Sequence, residues 1–123
     1  MQIYILIACD RLEEKQEKKL KQNLPDIITA LQTYAESLPQ AKVVMINDTD
    51  SDDCEDWQLG IEQSVKKNKQ LQIPINLFND LAKKFSIDME VGTVEKDKRE
   101  AVSYFGKEEG RGDSFMIAQY LDL

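Results

Sequence analysis

The chain has no histidine in its 123 residues, and only two cysteines, three prolines, five glycines and one tryptophan. The missing histidine removes the commonest general base, metal ligand and near-neutral proton switch. Neither Cys9 nor Cys54 therefore has the usual partner that activates a nucleophilic thiol, and no enzyme is expected. No apolar run approaches the ~20 residues that span a bilayer, and no cationic leader precedes a cleavable stretch. Basic residues are also in deficit. Lys and Arg number 16 against 23 Asp and Glu, a net charge of −7. That balance argues against nucleic acid or an anionic membrane as partner. Two cysteines without a secretory signal read as free thiols rather than a disulfide, which points to the cytoplasm. With no repeat, low-complexity tract or linker, residues 1–123 read as a single domain.

What the sequence does have is concentrated acid. Asp48, Asp50, Asp52, Asp53, Glu55 and Asp56 put six carboxylates into nine residues with no base among them, leaving −1 for the rest. Like charges repel, so such a run is either a solvated loop or a surface that meets positive charge. The stretch from Asp10 to Lys21 is different. Its Glu13, Glu14 and Glu17 alternate with Lys15, Lys18, Lys19 and Lys21, the pattern of a solvated helix face.

Hydrophobic spacing outlines the elements. Ile3, Ile5 and Ile7 alternate with Tyr4, Leu6 and Ala8, which suits an interior strand apolar on both faces. Leu20, Leu24, Ile27, Leu31, Ala35 and Leu38 follow a helical period, with Pro25 predicting a kink near Asn23 or a second helix starting there. Val43–Ile46 is a second strand leading into the acidic run. Trp57, Leu59, Ile61 and Val65 share one parity and predict a third. Pro74 to Phe85 reads as a helix. Ile87–Val91 and Val102–Phe105 read as a hairpin around a four-residue loop, Glu95–Lys98. Asp113 is placed to cap a last helix whose Phe115, Ala118, Tyr120 and Leu121 would dock on the core. The expected fold is α+β in the order β-α-β-β-α-β-β-α, with a five-stranded mixed or antiparallel sheet packed by helices.

Three short motifs fail on inspection. Asp48-x-Asp50-x-Asp52 opens like a calcium loop, but Asp53 stands where the turn needs glycine and Leu59 where a bidentate glutamate should close the site. Arg111-Gly112-Asp113 spells an integrin tripeptide and reads better as a turn feeding the capped helix. Gly106, Gly110 and Gly112 lack the Gly-Lys-Ser/Thr of a phosphate loop, and Glu108 and Glu109 would repel phosphate. Carboxylate pairs such as Glu90 with Glu100 across the hairpin have no visible cleft to make them acid and base. Neither a cofactor nor a metal is expected.

The second half, from Asp56-Trp57-Gln58-Leu59-Gly60 through Pro74-Ile75-Asn76-Leu77 to Tyr104-Phe105-Gly106-x-Glu108-Glu109-Gly110, resembles small acidic immunity proteins of bacterial contact-dependent inhibition and related polymorphic toxin systems. The resemblance implies a single-domain cytosolic protein that inactivates one cognate toxin. Many such toxins are nucleases with positively charged clefts, which a polyanionic segment can occupy and steer toward. A tight complex also needs a desolvated interface core, because exposed ion pairs contribute only ~0–1 kcal/mol each.

The expectation is thus a non-catalytic protein that neutralises a toxin domain, a basic nuclease in the first instance. Asp48, Asp50, Asp52, Asp53, Glu55, Asp56, Trp57 and Tyr104 are the candidate contacts, with Trp57 read in the first place as a core anchor on the third strand. The rival readings are a polyanion mimic carried by a phage or mobile element and a small ligand-binding module. Monomer or weak dimer is expected, since an exposed strand edge could pair.

Overall fold

Gln2–Ile7 form β1, the middle strand of five. The structure, a computed structural model, describes residues 1–44, 54 and 57–123. Strand alternation sends Ile3, Ile5 and Ile7 into the main core and Tyr4 and Leu6 to the opposite face. Around β1 lie β2 (Ala41–Val44), β3 (Gly60–Ser64), β4 (Asp88–Glu95) and β5 (Lys98–Gly106). The sheet runs β2-β3-β1-β4-β5, and every neighbouring pair is antiparallel. Of the two expected sheet types, the antiparallel one is formed.

The charged stretch becomes α1 (Glu14–Gln22), and α2 (Leu24–Ser37) follows after a break at Asn23. Pro25 sits in the first turn of α2, where its missing N–H has no intrahelical acceptor to lose. The third helix, α3 (Gln72–Phe85), stops at Ser86, whose φ of 58° is left-handed. Asp113 caps α4 (Ser114–Tyr120), accepting from the amides of Phe115 at 2.9 Å and Met116 at 3.4 Å. The element order is the expected one. Its first six elements, with α1 and α2 taken as one broken helix, follow the split β-α-β-β-α-β topology, extended by β5 and α4.

The core lies on one face of the sheet. Leu20, Leu24, Ile27 and Leu31 from α1 and α2 join Ile75, Phe78 and Leu81 from α3 over Ile3, Ile5, Ile61 and Val91. Each such side chain contributes ~1.5–3 kcal/mol on full burial. One polar pair is sealed in: Tyr34 donates to Gln63 Oε1 at 2.6 Å, and burial pushes the Tyr34 phenol up to about 12 despite that bond.

Three local expectations need correction. The hairpin turn holds two residues rather than four, Lys96 and Asp97, at φ 51° and 65°. Both centres are left-handed, as in the type I′ turn that matches strand twist. Trp57 stands in a turn ahead of β3, its amide bonded to the Cys54 carbonyl at 2.9 Å. On α4, Ile117, Ala118 and Leu121 are buried, while Phe115 and Tyr120 remain 65% and 55% exposed. The short helix turns only one side to the core.

Candidate partner-binding face

On the sheet face away from that core, alternation brings forward one polar row across all five strands. Lys42 on β2 is opposite Glu62 on β3, and Glu90 on β4 is opposite Tyr104 on β5. Tyr4 and Leu6 of β1 are opposite glycines, Gly92 and Gly60 respectively. Those glycines are required. A Cβ at Gly92 would fall 2.0 Å from the Glu100 carbonyl oxygen and 2.7 Å from the Tyr4 ring, and one at Gly60 would fall 2.0 Å from the Ile5 carbonyl oxygen.

The side chains form a connected network. Tyr4 donates to Glu90 Oε2 at 2.7 Å, and Tyr104 donates to Glu90 Oε1 at 3.2 Å. Arg99 donates to Glu62 Oε1 at 2.9 Å and to Gln58 Oε1 at 3.3 Å. Its guanidinium also stands 5.7 Å from the centre of the Tyr4 ring, a cation–π distance. Lys42 Nζ reaches Glu62 Oε2 at 3.7 Å but is largely exposed, so this ion pair adds little. Burial first, then the hydrogen bond and charge of Glu90, hold the Tyr4 phenol well above its ordinary value. Arg99 offsets only part of that rise. The face thus offers the Tyr104 phenol, carboxylate acceptors and a guanidinium above a buried floor of Tyr4, Leu6 and Val44, with Val94 packed against it. Tyr and Arg so arranged are the residue types that carry binding energy at interfaces.

Two surface clefts flank Arg99. One, of about 440 Å³, is lined by Lys42, Val44, Glu62 and Val94 among others. The other, of about 520 Å³, includes Leu6, Cys9, Asp10, Gln58 and Glu90. Cys9 is not free. Its sulfur is bonded to that of Cys54, across a Cα–Cα distance of 5.4 Å. This overturns the free-thiol expectation. Among the described residues, no helix is long and apolar enough to cross a membrane.

The eight candidate contacts fall into three groups. Asp48, Asp50, Asp52, Asp53, Glu55 and Asp56 lie outside the described residues. Trp57 is 0% exposed within the helix-side core, so it is an anchor and offers no contact surface. Tyr104 lies on the open face in the Glu90 network. The structure therefore places Trp57 and Tyr104 on opposite sides of the sheet.

Other motifs resolve in the same way. Leu59, at the closing position of the calcium-like pattern, is buried in the core. Arg111-Gly112-Asp113 forms the turn into α4, with Gly112 bonded twice to the Asn79 amide. Glu90 and Glu100 do not meet, because Glu90 is in register with Tyr104 and Glu100 with Thr93. Sequence reading missed Tyr4, Gln58, Glu62, Glu90 and Arg99 as one group. Parity was the signal for Tyr4, Glu62 and Glu90, which alternate with core positions. Gln58 lies outside the strands, and the irregularity in the β4–β5 pairing puts Arg99 on the face opposite to Phe105 although the two share parity.

Set against protein-family models, curated proteins and solved structures, the chain matches none.

Proposed function

We propose that this protein is a non-catalytic immunity protein that binds and neutralises a bacterial toxin domain, a basic nuclease, through the acidic segment 48–56 and the adjoining open sheet face. One observation supports this reading most. Cys54, inside the acidic segment, is bonded to Cys9, and the cleft that Cys9 lines is shared with Glu90 and Arg99. The anchor of the polyanionic segment and the tyrosine–arginine network therefore adjoin. The two would divide the labour of binding. Six carboxylates steer a basic partner during approach, and Tyr104 and Arg99 supply the desolvated contacts that hold it, with the buried Tyr4 positioning Glu90 beneath them.

We place the encounter in the cytoplasm, where a nuclease would reach nucleic acid. The Cys9–Cys54 bond runs against the reducing poise of that compartment, so its oxidation state in cell extracts tests the location as well. The binding test compares the wild-type chain with one in which the five aspartates become asparagine and Glu55 becomes glutamine. Immobilised wild type should retain a basic protein from its native host, release it in high salt, and block its nuclease activity at equal molar amounts. Equal capture by both forms would remove the acidic segment from the interface.

A further inference from the structure

Far from the acidic segment in sequence, a third cleft collects positive charge. Its volume is about 440 Å³, and its lining includes Asn79, Lys83, Ser86, Gly106, Lys107 and Arg111. In a chain of net charge −7, three cations converge on one concavity. Among the described residues, none of the three has a carboxylate partner.

We propose that this cleft binds a small organic oxyanion, a phosphate- or carboxylate-bearing molecule. Helix-end electrostatics accounts for part of the charge, since Lys83 and Lys84 lie in the last turn of α3, where cations complement the carbonyl ends. It does not account for the rest. Lys84 stands 5.3 Å from the centre of the Phe85 ring, whereas Lys83 lines the cleft, and Lys107 and Arg111 enter from the loop after β5. Glu108 and Glu109, exposed between Lys107 and Arg111, are not in the lining, and Asp88, which approaches Gly106, is already engaged. It is 5% exposed, and its Oδ1 accepts the amides of Glu108 at 3.0 Å and Glu109 at 3.3 Å.

The lining also holds neutral donors. Asn79 is 5% exposed and is held in place by Gly112, which takes one amide hydrogen at 2.9 Å and gives its own N–H at 2.7 Å. The second amide hydrogen of Asn79 and the Ser86 hydroxyl have no acceptor or donor partner among the described residues. A guanidinium fork matches the paired oxygens of phosphate and carboxylate, and two ammonium groups add charge without fixing geometry. The volume lies within the ~300–1,000 Å³ of small-molecule sites and leaves room for more than a bare inorganic ion. This site is independent of the proposed toxin interface.

Titration of the intact, oxidised protein at low salt tests it, followed by amide NMR shifts and calorimetry. The probes are adenosine monophosphate for the phosphate class, citrate for the carboxylate class, and chloride as control. At least one probe should give saturable shifts at Lys83, Ser86, Lys107 and Arg111, and the tighter probe identifies the source of the oxyanion. Arg111→Gln should weaken that binding about tenfold, the scale of one charge-assisted hydrogen bond. Lys83→Gln/Lys107→Gln/Arg111→Gln should abolish it, while Lys42→Gln on the sheet face should leave it unchanged. All four positions are exposed, and an unchanged circular dichroism spectrum confirms folding. No saturable shift with either class, or equal shifts in the triple variant, would overturn the proposal.

Discussion

Cys54 is bonded to Cys9, so residue 54 of the acidic segment is fixed to the chain just beyond β1, forty-five positions earlier in the sequence. A bridge closing a loop of that size restricts the unfolded chain and typically contributes about 2–4 kcal/mol. Thiol titration of the denatured, unreduced protein should therefore find no free cysteine. Cys9→Ser/Cys54→Ser should lose stability on that scale in urea unfolding. Two free thiols before reduction would show that the bridge is not formed.

The open-face network makes a prediction of its own. Tyr4→Phe removes the donor to Glu90 in a site where Tyr4 is only 1% exposed, and should cost about 1–2 kcal/mol. Tyr104→Phe removes the longer, partly exposed bond to the same carboxylate and should cost less. Denaturant unfolding of both variants checks the order, and the reverse order would contradict the network's geometry.

Gly92 stands at the irregularity between β4 and β5, opposite Tyr4. A Cβ there would press on both the Glu100 carbonyl and the Tyr4 ring. Gly92→Ala should destabilise by about 1–3 kcal/mol, the usual cost of overpacking. Gly110→Ala meets no atom within 4 Å, so its cost is confined to its left-handed φ of 94° and should be smaller. Thermal unfolding of the pair distinguishes crowding from backbone strain.

Features decided by near neighbours were legible in the sequence, and features decided by distant pairing were not. Pro25 marked the break between α1 and α2, and Asp113 the start of α4, because caps and prolines act within a turn of the chain. β1, β3 and β4 followed from alternation, and β2 from a short β-branched run whose last two residues, 45 and 46, lie outside the described residues. Sequence separation hid the rest. Tyr4 meets Glu90 across 86 positions, and Arg99 meets Glu62 across 37. Nothing local to either residue signals these contacts, and strand register alone creates them. Trp57 shows the converse: its parity with Leu59 and Ile61 pointed into the core, and burial there removes it from the contact surface. Exposed Phe115 shows that helical spacing on a seven-residue helix does not settle which side faces inward.

Alkaline titration should report the two buried phenols. Both are held above 10.0, their ordinary value, by burial in the folded state. A raised phenol pKa stabilises the fold fully below about pH 10 and loses that contribution as pH climbs toward the folded value, about 12 for Tyr34. Stability should thus fall above pH 10 at up to about 1.4 kcal/mol per pH unit for each phenol. Tyr34→Phe should flatten that fall relative to wild type in urea unfolding at pH 9 to 11. Parallel curves would show that Tyr34 ionises no later in the folded protein than in the unfolded chain.

The central claim is that the acidic segment steers a basic toxin domain onto the open face. Stopped-flow association with the captured partner, measured across salt concentration, tests it most directly. Wild type should associate at least about tenfold faster at low salt than the chain with all six carboxylates of segment 48–56 neutralised, and its rate should fall steeply as salt rises. The neutralised chain should be slower and nearly insensitive to salt. Equal rates with equal salt slopes would contradict the account.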